Sequence, residues 1–294
     1  MTGRVGTGGG TDGRDGPGCR RPPCGCRTLC LLLLMAAGAW GCGESGEVEV
    51  RLPPLDVVPR APFQLIQVSD ARATFAETRL GMASPEEGAA IAEGDTVQVA
   101  FTLSGFDLGV PTPGSGERGL TLAAEGQHIR LLVGDRQEVV VTDLDEPVTL
   151  ADLPPGTHHL RAVPVTEWYE SVKTPGAFVH RVIHVGEGED SPRLDDGAVL
   201  TPIRPWGEYR GARADSILVD VHLTGVRLSD DGIRLRLTVE GLGRAEITRW
   251  APHVMVGLPD GVHRVRLELV DDEGRRLPGP LTRAERVITV DRRR

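Results

Sequence analysis

The amino-acid sequence predicts an all-β protein in which two antiparallel β-sandwiches follow a signal peptide and a linker. Short segments alternate apolar and polar residues with a period of two, which is typical of strands that bury one face. Aromatic residues make up only 4% of the chain, whereas Gly and Pro are plentiful, which favours short strands joined by turns. The phrase LPPGTHHLR at 153–161 returns as LPDGVHRVR at 258–266, which indicates a repeated structural unit.

The first element, residues 1–41, has the pattern of a signal peptide. Arg20, Arg21 and Arg27 precede an apolar run of about 13 residues that ends in small residues. This run is too short to cross a bilayer comfortably as a helix, and no other segment approaches about 18 consecutive apolar residues. We therefore expect export and removal of this segment, which leaves no membrane helix in the mature chain.

The apolar run ends in Ala39, Trp40, Gly41 and Cys42, and Gly41 and Cys42 match the lipobox of bacterial lipoproteins, whereas the two residues before them match it less well. The resemblance implies that Cys42 carries lipid and anchors the protein to a membrane, and Gly43 then points to the outer membrane. Ordinary cleavage near the same place, which would give a periplasmic or secreted protein, is the alternative. All five cysteines lie in the first 42 residues, so no disulfide framework is expected in the folded body.

Residues 42–61 are predicted to be a tether between the membrane and the folded domains. This stretch is charged, interrupted by Pro and without a sustained period. Residues 188–195 are predicted to link the two sandwiches.

The rest of the sequence divides into two copies, predicted as a first sandwich at 62–187 and a second at 196–292. In each copy an alternating strand ends at a Gly, a second alternating strand follows, and the shared phrase precedes a closing strand. The matched segments are 97–108 with 217–228, 128–135 with 234–241, and 178–185 with 286–290. The first copy is longer mainly through a Gly- and Pro-rich loop at 109–118.

The shared phrase is predicted to form the same tight turn in both copies. Pro occupies a turn position, and Gly156 or Gly261 supplies the positive backbone angle that reverses the chain. His158 and His263 then occupy equivalent positions at the edge of each core.

This corner resembles the turn that enters a late strand of immunoglobulin-like and fibronectin-type sandwiches, and 84–105 resembles the opening of many bacterial immunoglobulin-like domains. Most of 62–290 also resembles a family of uncharacterised secreted proteins of bacteria, including cyanobacteria. The residues that carry this second resemblance are Trp168, Glu170, Ser171, Lys173, Gly176, Ala177, Arg204, Pro205, Gly207, Tyr209, Gly211, Arg249, Trp250 and Pro252. The resemblance implies the tandem fold and export but no activity. The chain departs from the family at Glu167, where Pro is usual.

Charge and motifs argue against several functional classes. The formal net charge is −9 although the first 42 residues are net positive, so the body is acidic and a poor partner for nucleic acid. The sequence has no nucleophile elbow, zinc-protease motif, phosphate-binding loop or dinucleotide fingerprint. We predict no enzyme activity and no cofactor, although two carboxylates brought together only by folding would leave no trace in a sequence.

The histidines do not have the spacing of a metal site. His180 and His184 share one face of a strand but lie about 13 Å apart, which is too far for one metal ion. His158 and His159 point to opposite faces. We therefore expect no bound metal, and we interpret these residues as structural.

Two polar-aromatic segments remain, EWYESVK at 167–173 and PWGEY at 205–209. Trp and Tyr beside charged residues are typical of recognition surfaces, so we predict that the two segments meet near the domain junction and form a contact surface. The candidate contact residues are Trp168, Tyr169, Glu170, Lys173, Trp206 and Tyr209. The alternative is that the Trp rings plug the ends of the sandwiches.

These observations predict a noncatalytic cell-envelope lipoprotein that acts as a binding, adhesion or scaffold module. Its expected partners are the membrane, through the lipid on Cys42, and an envelope protein or polysaccharide. A secreted carbohydrate-active accessory protein or enzyme is the alternative.

Overall fold

The structure is a computed structural model that describes residues 63–71, 73–117, 119–134, 137–187 and 197–293. These residues belong to one compact unit, Val57–Arg294. The predicted signal peptide, Cys42, the tether and the linker at 188–195 lie outside the described residues. The described part of the chain contains no helix that is long and apolar enough to span a membrane.

The described residues form an all-β fold with short 3₁₀ helices at Ser115–Glu117 and Gly211–Ala214. The strands before the second copy are β1 (Gln64–Gln67), β2 (Arg79–Ser84), β3 (Ala89–Ile91), β4 (Val97–Ser104), β5 (His128–Val133), β6 (Gln137–Val141), β7 (Val148–Leu150), β8 (Gly156–Val165) and β9 (Val179–Val185). Those of the second copy are β10 (Val199–Arg204), β11 (Gly207–Arg210), β12 (Ile217–Thr224), β13 (Arg234–Val239), β14 (Gly243–Ile247), β15 (His253–Val256), β16 (Gly261–Val270) and β17 (Arg283–Asp291).

Each copy folds into two facing sheets. In the first sandwich one sheet has the order β2-β4-β7 and the other β3-β9-β8-β5-β6. In the second sandwich the equivalent sheets have the orders β1-β15-β12-β10 and β11-β17-β16-β13-β14. Neighbouring strands are antiparallel except β3 with β9 and β11 with β17, which are parallel in both copies. The predicted fold class, two tandem immunoglobulin- or fibronectin-type sandwiches, is confirmed.

The repeated corner is built the same way twice. His158 Nε2 donates to the carbonyl oxygen of Pro154 at 2.7 Å, and His263 Nε2 donates to that of Pro259 at 2.7 Å. Gly156 and its counterpart in the second phrase have φ of 127° and 135°, which L side chains rarely adopt. The two phrases therefore share residues because they build the same hydrogen-bonded turn.

Strand β1 differs from the predicted arrangement. It lies within the range expected for the first sandwich, 62–187, yet it pairs antiparallel with β15 of the second, with Leu65 opposite Met255. Phe63 and Leu65 pack against the second core, and this burial accounts for the pairing because it removes apolar surface from water. The chain therefore contributes a strand to the second sandwich, builds the first sandwich, and then returns to the second.

Strand β12 buries both of its faces. Its odd-numbered residues, such as Val219 and Val221, belong to the core of the second sandwich. Its even-numbered residues Asp220 and His222 are also buried, at 1% and 3% exposure. The equivalent face of β4 is largely exposed, for instance at Gln98. The difference arises because the first sandwich packs against this face of β12. This contact between the two sandwiches is the junction at which the candidate site lies.

Candidate functional site

The loop that follows β8 supplies the first sandwich's side of the junction. Its turn is fixed by hydrogen bonds from Tyr169 N to Thr166 O at 2.9 Å and from Thr166 N to Glu170 O at 2.9 Å. Glu170 N also donates to Thr166 Oγ1 at 3.1 Å. These bonds hold Tyr169 at φ 66°, in the left-handed region that is unusual for a residue other than Gly.

The second sandwich builds the same turn with Gly at this position. Gly274, at φ 77°, donates from its N–H to Asp271 O, and Asp271 N donates to Arg275 O. A large side chain in the left-handed region costs on the order of 1 kcal/mol or more. Tyr169 therefore occupies a position where the fold itself favours Gly, and contacts of its side chain offset that cost.

The Tyr169 ring is held between cationic and aromatic neighbours. The Arg204 guanidinium carbon lies 3.5 Å from the ring centroid, and the His128 ring meets Tyr169 edge-on at 5.7 Å. Arg204 Nη1 donates to Trp206 O at 3.1 Å, and Trp206 N donates to the Tyr209 hydroxyl at 3.0 Å. These contacts bring the two predicted segments, 167–173 and 205–209, together across the junction.

A pocket of about 120 Å³ lies between the two sandwiches at this point. Its lining residues come from both copies: Leu120, Thr121, Trp168, Tyr169, Arg204, Trp206, Glu208, Tyr209, Arg213, Ser216 and Leu218. A more open depression of about 470 Å³ adjoins it and shares Leu120, Thr121, Arg213 and Ser216. We refer to the pocket and the depression together as the junction groove.

The junction groove is cationic, although the chain as a whole is acidic. Arg204 and Arg213 line it, and among its described lining residues the carboxylate is that of Glu208, which pairs with Arg210 at 2.9 Å. The Arg286 guanidinium lies 4.7 Å from the Trp206 ring centroid.

Burial shifts the pKa values of two side chains at the groove. Behind Tyr169, burial and then the nearby Arg204 lower the pKa of Arg130 to about 9, and Arg130 forms an ion pair with Glu138. Burial raises the pKa of Tyr209, so its phenol stays protonated at neutral pH.

The structure divides the six predicted contact residues into two groups. Trp168, Tyr169, Trp206 and Tyr209 line the groove, whereas Glu170 and Lys173 are buried away from it, at 1% and 3% exposure. Buried polar groups need partners: Lys173 finds one in Asp220 of the second sandwich, whereas Glu170 accepts hydrogen bonds from Ala71 and Trp168 of the first.

Trp168 also fits the alternative interpretation of a plug. Its ring is only 2% exposed and packs in a small cluster with Phe75 and Phe106. Its Nε1 donates to Glu170 Oε2 at 2.8 Å, and Ala71 N donates to Oε1 of the same carboxylate at 2.8 Å. Burial, reinforced by Asp220 and opposed by Lys173, raises the pKa of Glu170.

Lys173 and Asp220 form the polar centre of the junction. Lys173 Nζ lies 2.5 Å from Asp220 Oδ1 and 3.2 Å from both the carbonyl oxygen and Oγ of Ser171. Ser171 N donates to Asp220 Oδ2 at 2.8 Å. Both carboxylate oxygens therefore have partners in the first sandwich.

An aromatic stack covers another part of the junction. His222 stacks on Phe178 of the first sandwich with ring centroids 4.7 Å apart and meets Trp250 edge-on at 5.1 Å. Burial, followed by the charge of Lys173, lowers the pKa of His222 to about 3. Asp220, His222 and Arg204 are site residues that the sequence alone does not predict. No local signal identifies the two residues of β12, because polar residues at alternate positions of a strand predict a face exposed to water.

The histidines of the first sandwich pair across strands. His159 Nδ1 lies 3.1 Å from His180 Nε2, and the two rings stack with their centroids 5.3 Å apart. The other two histidines have different partners: His184 contacts the Thr157 hydroxyl, and His158 contacts the carbonyl oxygen of Pro154. Burial and then His159 lower the pKa of His180 to about 4. Within the described ranges no three His, Cys, Asp or Glu side chains are grouped to hold a metal ion.

No protein-family model matches the chain, and no curated protein matches it. Among solved structures, the fibronectin(III)-like modules of Clostridium thermocellum CbhA are 14% identical, with a TM-score of 0.25 over 72% of this chain and 95% of that one. Bacteroides ovatus SGBP-B of the mixed-linkage glucan utilization locus is 12% identical, with a TM-score of 0.22 over 71% and 70%. Domains 3 and 4 of rat CD4 are 12% identical, with a TM-score of 0.19 over 69% and 98%. The fold assignment rests on the sheet topology itself.

Proposed function

We propose that this chain is an exported, noncatalytic binding module that a lipid on Cys42 holds at the cell envelope, in the outer membrane. The charged and apolar segments before Cys42 support export, and Gly41 with Cys42 supports the anchor. The observation that carries the binding function is the junction groove, because both sandwiches contribute side chains to it. Ligand sites form preferentially at such domain interfaces.

The side chains of the groove favour a carboxylate-bearing polysaccharide as the ligand. Trp206 supplies a rigid amphipathic ring, which packs against a ligand at low cost in conformational entropy. Arg204 and Arg213 supply guanidinium groups, whose planar donors match a carboxylate. A cationic groove on an acidic body also concentrates an anionic ligand at this site.

Calorimetric titration with two purified polysaccharides tests the proposal. We expect binding to polygalacturonate, which is acidic, and none to a neutral β-glucan. Because interface aromatic and Arg residues carry most of the binding energy, Trp206→Ala or Arg213→Ala should weaken binding roughly tenfold. Arg227→Ala removes an exposed Arg outside the groove and is the matched control. Equal binding of both polysaccharides, or an unchanged affinity in Trp206→Ala, contradicts the proposal.

A further inference from the structure

The position of Lys173 is unusual for its residue type. It is the only lysine in the 294-residue sequence, and lysine is almost never fully buried. Its side chain is 1% exposed, that of Asp220 is 0% exposed, and Nζ lies 2.5 Å from Oδ1. Because Lys173 follows β8 and Asp220 lies in β12, the pair joins the two sandwiches at a dry site.

The groups around the pair are placed to assist an attack on the Asp220 carboxyl carbon. The 2.5 Å contact between Nζ and Oδ1 holds the lysine nitrogen next to that carbon, and holding two reacting groups together in this way favours their reaction. Ser171 N–H donates to Oδ2, the oxygen on which negative charge develops during such an attack. Glu170 lies in the same buried environment, because the charges of both Lys173 and Asp220 shift its pKa.

Burial also favours the uncharged product. Removing two opposite charges from water costs desolvation free energy, and this cost often exceeds the attraction between the two charges. An amide between the side chains carries no charge. Its carbonyl oxygen would keep the Ser171 N–H bond, and its N–H would face the Ser171 carbonyl and hydroxyl oxygens that now contact Nζ. Each polar group of the amide therefore has a partner already in place.

We propose that Lys173 and Asp220 condense into an isopeptide bond that cross-links the two sandwiches. A proton passes from the ammonium group to Oδ1 along the contact between them, and the amine lone pair then attacks the carboxyl carbon. The nitrogen gives up a second proton to Oδ1, the carbon–Oδ1 bond breaks, and Oδ1 leaves as water. The product keeps one hydrogen on nitrogen and the carbonyl at Oδ2. The step needs no oxidant, reductant or other reactant.

The cross-link has a consequence for the groove, although it does not depend on the proposed binding function. The loop that carries Lys173 also carries Tyr169, and β12 also carries Leu218, so a bond between 173 and 220 ties together two walls of the groove. The groove then keeps its shape without relying on side-chain packing alone.

Tryptic mapping of the purified full-length chain tests the bond directly. Trypsin cleaves after a free lysine, so an unmodified chain gives separate peptides 162–173 and 174–181. The isopeptide blocks that cleavage and gives one branched peptide, in which 162–181 is joined to 214–227. We expect the branched peptide to account for most of Lys173. Recovery of 162–173 as the main product overturns the proposal.

Intact mass provides a second measurement with a matched variant. The wild-type chain should be lighter than its sequence predicts by one water molecule, and Lys173→Arg, which keeps the charge but not the amine, should show no deficit. Comparing the two chains from the same purification cancels any processing of the N-terminus. If Lys173→Arg shows the same deficit, water is lost elsewhere and the proposal fails. The wild-type peptide map decides the matter even if this variant folds poorly.

Discussion

Tyr169 and Gly274 occupy the same left-handed position in the same turn of the two sandwiches. Each turn follows the long strand of its copy and is closed by an isolated bridge, Val165 with Ser171 in the first and Val270 with Arg276 in the second. The second copy uses Gly, as the backbone favours, and its turn is exposed. In the first copy the turn faces the other sandwich, and a Tyr side chain there contacts Arg204.

This relationship predicts different stabilities for two small substitutions at position 169. Tyr169→Ala removes the side chain contacts but keeps the backbone strain, whereas Tyr169→Gly removes both. We expect the Gly variant to be more stable than the Ala variant by about 1 kcal/mol, measured by urea unfolding. Equal stability of the two variants would show that the turn stores no strain at this position.

A second prediction concerns strand β1. Ile66 lies opposite Val254 of β15, so Ile66→Pro removes a backbone donor and should break the ladder at that point. We expect faster hydrogen exchange in β15 and unchanged exchange in β7, its equivalent in the first sandwich. Gln67→Ala, at the end of the same strand, is the control that keeps the backbone donor. Faster exchange in β7 instead would contradict the assignment of β1 to the second sandwich.

The sequence predicted the strands whose alternation reflects one buried and one exposed face, such as 97–108 and 217–228. It also predicted that 167–173 and 205–209 meet, because aromatic residues clustered beside charged ones at each place. The pairing of strand β1 was not predicted because its partner, β15, lies far along the chain. No local sequence pattern shows whether such a strand joins the sandwich that follows it directly or the second sandwich farther along the chain.

The burial of the junction was equally inaccessible to pattern analysis. Polar residues at alternate positions normally face water, so Asp220 and His222 suggest an exposed face of β12. Only a second sandwich packed against that face buries them. For the same reason the sequence predicts Glu170 and Lys173 as contact residues, since charge alone does not show whether a residue meets solvent or a buried partner.

The membrane anchor leads to a third prediction. If Cys42 carries lipid, cells supplied with labelled palmitate should incorporate the label into the wild-type chain, and Cys42→Ala should abolish incorporation. The variant should also leave the membrane fraction, because acyl chains supply the anchoring energy at about 0.8 kcal/mol for each buried CH₂ group. Cys30→Ala, within the apolar run, is the matched control. Wild-type chain that stays unlabelled would support the periplasmic or secreted alternative.

A fourth prediction is that acid weakens the fold. Burial lowers the pKa of His222 to about 3 and that of His180 to about 4, from an ordinary value near 6.5. A histidine with a depressed folded-state pKa contributes stability above about pH 6.5, and this contribution is lost as pH falls towards the folded value. Between pH 7 and pH 5 each of the two should cost about 2 kcal/mol of unfolding free energy. Glu170, whose pKa is raised, acts in the opposite direction and partly offsets this loss at lower pH.

Replacement of His222 separates its contribution from the rest. His222→Phe keeps a ring to stack on Phe178 and removes a buried Nδ1 that has no hydrogen-bond partner among the described residues, so little stability should be lost at pH 7. Because Phe does not titrate, urea unfolding of this variant should show a loss between pH 7 and pH 5 that is smaller than the wild-type loss by about 2 kcal/mol. The remaining loss should come from His180 and from His128 and His253, whose pKa values burial also lowers, and His180→Phe should remove a similar amount. An unchanged loss in His222→Phe would mean that His222 is protonated in the folded protein at pH 5 and that the junction is open to water.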